Sequence, residues 1–174
     1  MRISTYQFVG MICIAIAVLT PVSDLFAGRT KVRKYRYSDV DMPVSLAVGT
    51  VRTPEFPTVS EAYFIMLQTE KPIPFNEMCC MMGLADGTDN YKLCGKEPLL
   101  QVEWIVWDDR RMVSKGSSSG WGHGKYENKN IYKFLGQFLG EKGKHYSVEV
   151  KFTRDASALS AANPHLIVIR VRYH

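Results

Sequence analysis

HYSVEVKFT, residues 145–153, is the stretch whose reading decides the fold. Tyr146, Val148, Val150 and Phe152 alternate with His145, Ser147, Glu149, Lys151 and Thr153. Successive side chains of a strand point to opposite faces, so this is a half-buried strand with one wet face. The turn GEKGK, residues 140–144, leads into it.

Working outward, two runs are apolar on both faces: AYFIMLQT (62–69) and LLQVEWIVW (99–107). Both fit central strands covered on each side. Further strands are expected over residues 32–40, 44–51, 112–115 and 166–173. Residues 131–139 are ambiguous, because Ile131, Phe134, Leu135, Phe138 and Leu139 sit at helical spacing. Gly136 interrupts that spacing, Tyr132 and Phe134 also fit alternation, and the neighbours are strands, so a strand is expected. Pro43, Pro54, Pro57, Pro72 and Pro74 are read as falling between runs. Helix is scarce. PFNEMCCMMGL (74–84) can make two turns, capped by Asn76 and stopped near Gly83. Roughly seven or eight short strands with regular turns predict an all-β fold. The expected form is an antiparallel two-sheet β-sandwich, immunoglobulin-like or jelly-roll-like, with one short helical excursion between two central strands.

The start of the chain bears on where the fold works. FVGMICIAIAVL (8–19) follows Met1-Arg2 and precedes the breakers Thr20, Pro21 and Asp24. A bilayer span needs about 20 apolar residues, and this run is shorter. It matches a secretory signal peptide over residues 1–27, with Ala27 at the cleavage site and residues 28–174 as one mature domain. Leu25 is larger than the small residue preferred there. Arg29, Lys31, Arg33, Lys34 and Arg36 follow the run, whereas positive charge ordinarily stays on the cytosolic side, so an uncleaved signal anchor is the rival reading. Cys13 lies inside the run, so there is no lipobox. The expected location is periplasmic or secreted, with no stable membrane span after cleavage.

The net charge of +5 biases the surface toward acidic partners. Nucleic acid is not expected, since no recognition motif for it is present. Of the four cysteines, Cys79, Cys80 and Cys94 remain in the mature chain. Adjacent cysteines rarely bond each other, so Cys94 is expected to pair with either Cys79 or Cys80. The loop of about 15 residues that this closes is worth roughly 3 kcal/mol in the chain-entropy model. Three reduced thiols are the alternative. A zinc site is not expected, because no histidine shares that segment.

KGSSSGWGHGKYENKN (115–130) is the best candidate surface, read as a long loop without secondary structure. Trp121, His123 and Tyr126 are large groups among glycines and serines, able to stack on sugar rings or anchor a protein. Alternatively the segment is a mobile hairpin loop with Trp121 folded back. Trp104 shares a face with Val102 and Val106 and belongs to the core. Trp107 faces the other way and is expected to be partly exposed.

No catalytic set assembles. Asp108 and Asp109 point apart and fit a DDRR turn. The four histidines show no metal spacing, the serines lack a nucleophile elbow, and the glycine-rich stretch lacks a phosphate-loop lysine. No cofactor, metal site or catalytic residue is expected.

LGQFLGEKGKHYSVEVKFTRDASALSAANPHLIV (135–168) resembles the closing signature of small exported proteobacterial β-sandwich proteins of unknown function. The matching residues are Gly143, Lys144, Tyr146, Val148, Val150, Phe152, Thr153, Asp155, Ser157, Leu159, Asn163 and Pro164. PLLQVEWIVWD (98–108) is also similar. The resemblance implies the sandwich and brings no activity. The combined expectation is an exported, monomeric, non-enzymatic binding protein of the bacterial envelope. A protein partner comes first, as for an immunity-type neutraliser of a delivered toxin. A carbohydrate-binding module using Trp121, Tyr126 and Trp107 comes second, and a hydrolase third. Export is open to direct test. The intact mass of the protein from the envelope fraction should lack residues 1–27, and a full-length cytosolic chain would refute the reading.

Overall fold

The computed structural model describes residues 38–70, 74–84, 94 and 96–171. Residues 1–37 lie outside them, and with them the expected signal peptide, the basic run and most of the expected first strand. Among the described residues, ten strands form two antiparallel sheets. In chain order they are β1 (Ser38–Pro43), β2 (Gly49–Arg52), β3 (Phe56–Pro57), β4 (Ala62–Glu70), β5 (Val102–Asp108), β6 (Arg111–Ser118), β7 (Gly124–Glu127), β8 (Asn130–Leu139), β9 (His145–Phe152) and β10 (His165–Val171). The helix α1, Phe75–Met82, joins β4 to β5, and a 3₁₀ turn at Ser157–Ala162 joins β9 to β10. Sheet one runs β1-β10-β4-β8-β7, and sheet two runs β2-β9-β5-β6 with β3 also on β9. This is the two-sheet sandwich with one short helix that the sequence implies.

β9 keeps its alternation in three dimensions except at Ser147, which was expected on the wet face and is buried with its hydroxyl bonded by Arg52. Tyr146, Val148, Val150 and Phe152 are buried between the sheets. They face Tyr63, Ile65 and Leu67 of β4, Leu135 and Phe138 of β8, and Leu166 and Val168 of β10. Trp104 of β5 spans the gap. Its indole N–H donates to the carbonyl of Leu135 on the opposite sheet at 3.0 Å. Gly116 of β6 and Gly136 of β8 leave room for the ring. A Cβ on either would stand 2.4 or 2.3 Å from its atoms, closer than carbon atoms pack. The glycine that disturbs the pattern of residues 131–139 is therefore the space that Trp104 occupies, and β8 is a strand with a bulge beside it.

Some sequence boundaries need correction. α1 begins after Pro74, and no side chain caps it. Asn76 sits inside the first turn, so it is not the N-cap. Gly83 does end the helix, in the left-handed conformation (φ 71°) that glycine adopts without strain. Pro43 is the last residue of edge strand β1 and Pro57 lies in the two-residue β3, so neither falls between strands. Residues 115–130 are not one long loop. They hold the end of β6, all of β7 and the start of β8.

Gly136→Ala should lower stability by about 1–3 kcal/mol, the usual cost of overpacking a filled core. Denaturant unfolding followed by tryptophan emission measures it, and an unchanged midpoint would show that the indole does not occupy this space.

Candidate functional site

Between β6 and β7 only residues 119–123 remain irregular, and this segment carries Trp121 and His123. Its composition predicts mobility, but its backbone is tied down. Gly122 N–H donates to Gly83 O at 2.9 Å, and Leu84 pairs with Gly122 in a parallel bridge. The carbonyl of His123 accepts from Phe134 N–H at 3.1 Å. Lys133, on β8, donates from Nζ to Gly83 O at 2.6 Å and to Gly120 O at 3.2 Å. One ammonium thus holds the end of α1, the loop and β8 together.

Lys133 is a buried cation, 1% exposed. Burial pushes its pKa down to about 8, because an ammonium loses hydration there. Its two carbonyl acceptors offset part of that loss. Sequence reasoning missed it. The signal available was phase: Lys133 sits between Ile131 and Leu135 on the core-facing side of β8.

The helix is fastened by further bonds. Cys80 and Cys94 form a disulfide, and Cys79 is buried outside the bridge. Neighbours on a helix diverge by about 100°. Cys79 therefore joins Met78 and Met82 toward the core, and Cys80 is left on the side that Cys94 reaches. Leu99 N–H donates to Met81 O at 2.9 Å. Tyr126, on β7, is half-buried under the helix. Its ring meets Phe75 edge-on, with centroids 4.6 Å apart, and its hydroxyl stands 3.4 Å from Cys79 Sγ.

The structure does not gather the four candidate residues into one surface. Trp121 is half-buried and His123 exposed, together on the fastened loop. Tyr126 packs inward between β7 and α1. Trp107 lies on the outer face of sheet two, opposite Met112 of β6. There the Arg52 guanidinium sits 5.7 Å from its ring centroid. Arg52 also donates from Nε to Ser147 Oγ at 2.9 Å and from Nη2 to Asp109 O at 3.3 Å. Asp108 and Asp109 do form the turn between β5 and β6. Lys144 and Arg111, each 3.2 Å from the Asp108 carboxylate, hold its pKa below the usual value, with the Lys144 hydrogen bond foremost.

No family model matches the chain, and no curated protein matches it. Among solved structures it resembles the crystal structure of GEBA250068378 from Sulfurospirillum deleyianum. The TM-score is 0.53 at 12% identity, over 78% of this chain and 98% of that one. At that identity the likeness concerns the fold alone.

Lys133 makes a signed prediction about pH. Unfolded, it titrates near 10.5; folded, near 8. Between those values the unfolded chain binds more protons, so this residue makes stability rise as pH climbs from 8 to 10.5, with no contribution to the slope below 8. Lys133→Met should remove that component. Subtracting the two stability curves isolates it, and identical slopes would contradict the burial.

Proposed function

We propose that this domain is an exported, non-enzymatic binding protein of the bacterial envelope, with another protein as its partner. An immunity-type neutraliser of a delivered toxin is the role that fits best. The observation that carries the reading is the fastening of residues 119–123. A glycine- and serine-rich segment ordinarily loses entropy when it binds. Here much of that order is present beforehand, and it holds Trp121 and His123 in fixed positions. The Cys80–Cys94 bridge supports export, because disulfides persist in oxidising compartments.

The placement of the aromatics favours a protein over a polysaccharide. A sugar chain needs a row of rings it can lie along. Tyr126 packs against Phe75, and Trp107 lies on the far sheet under Arg52.

The test uses a partner recovered from envelope extracts on the wild-type domain, with a glycan array in parallel. Trp121→Ala should weaken protein binding by about 2 kcal/mol or more, with the circular dichroism spectrum unchanged. Equal affinity would move the site off this loop, and glycan binding without a protein partner would replace the reading.

A further inference from the structure

β6 is an edge strand of sheet two, paired on one side with β5 and, among the described residues, with no strand on the other. Short length and proline blunt an edge against pairing. β2 and β7 have four residues each, and β1 ends in Pro43. β6 has eight residues and no proline. The direction of its backbone groups follows from its neighbours. Thr153 N–H donates to Gln101 O, in the register that pairs Val102 with Phe152. Hydrogen-bonded and non-bonded pairs alternate along an antiparallel ladder. Glu103, Ile105 and Trp107 therefore bond toward β9, and Val102, Trp104 and Val106 toward β6. Their partners Ser118, Gly116 and Ser114 are the bonded residues of β6. Lys115 and Ser117 turn N–H and C=O away from β5, as Met112 does beyond the bulge at Val113. All three are exposed, whereas Val113 packs onto the core.

We propose that β6 takes up an extended segment of the partner protein as an added antiparallel strand, with a carboxylate beside Lys115 and an apolar residue beside Met112. The inference rests on the protein-partner reading above and names how that partner is held. Open N–H and C=O groups in strand geometry are met by another extended backbone. The bulge sets Met112 opposite Trp107 and Lys115 opposite Ile105, so the two act as next neighbours on the outer face. An incoming strand thus meets an apolar group that is 48% exposed and then an ammonium. Among the described residues that ammonium has no ion pair. On the same face Glu103 is held by Lys151 at 3.5 Å, and Glu149 lies beyond Ile105 on β9. The edge is continuous with the fastened loop, because β6 runs directly into the residues that carry Trp121 and His123. A second copy is the weaker occupant. β6 holds no carboxylate, and two β6 strands paired about Gly116 would set each Lys115 opposite a Ser117.

The test titrates the full-length protein with the peptide acetyl-Thr-Thr-Glu-Thr-Leu-Thr-amide, whose threonines favour an extended backbone. Amide chemical shifts and hydrogen exchange are followed by NMR. The peptide should shift the amides of Ser114–Ser118 and slow exchange at Lys115 and Ser117. Replacing its glutamate by lysine should weaken binding about tenfold, and Lys115→Glu should reverse that preference. Methylating the peptide nitrogen of the glutamate, which removes one ladder bond, should weaken binding by about tenfold as well. Ser117→Pro removes an outward N–H that bonds nothing in β5, and should lower affinity with the circular dichroism spectrum unchanged. Trp121→Ala should leave peptide binding as it is, since the peptide stops short of the loop. Unmoved β6 amides, or equal binding of the glutamate and lysine peptides, would overturn the proposal. A protein partner that needs Trp121 while the peptide fails would do the same and leave the partner reading standing. Shifts in β6 on raising the protein concentration alone would assign the edge to a second copy and overturn it too.

Discussion

The indole of Trp104 is the constraint on which the two sheets depend. It crosses the gap between them, and its N–H bonds to a backbone carbonyl on the other side. Buried hydrogen bonds between sheets are costly to leave unmade, so the ring fixes the spacing and the lateral position of sheet one on sheet two. Gly116 and Gly136 are small because the ring is large. The β8 bulge beside Gly136 follows from the same arrangement, and it keeps Leu135, Phe138 and Ile131 all directed into the core.

What was legible in the sequence was what one strand can show by itself. β9 wrote its fold into its alternation, and β4 and β5 declared themselves central by being apolar on both faces. Contacts between distant segments were not legible. Gly136 read as an interruption because its cause, Trp104, lies 32 positions away. Asn76 looked like a cap, since capping residues are judged by type, yet the helix starts one residue after Pro74. The disulfide could be narrowed to two choices. The decision between them needed the rotation of α1, which puts Cys79 with Met78 and Met82.

The candidate site shows the same division. Trp121 and His123 could be picked out as large groups in a segment of small ones. That the segment is held could not, because the residue holding it is a lysine inside an apolar strand. Lysines in strands ordinarily mark a wet face, so nothing about Lys133 stood out. Tyr126 and Trp107 drew interest for their size alone, and size does not say whether a ring faces a helix, a guanidinium or solvent.

The Lys133 ammonium also has a meaning for the order in which the chain assembles. It joins segments that end at Gly83, pass through Gly120 and return at position 133. Its bonds form when the end of α1 and the loop at Gly120 meet β8. Contacts that close long loops are the slow ones. The Lys133 bonds close shorter stretches than the pairing of Ser38 with Ile169 or of Gly49 with Phe152, so the corner bearing Trp121 can be made before the sheets are complete. A chain caught at that stage would carry a fastened corner on a scaffold whose outer strands are still open.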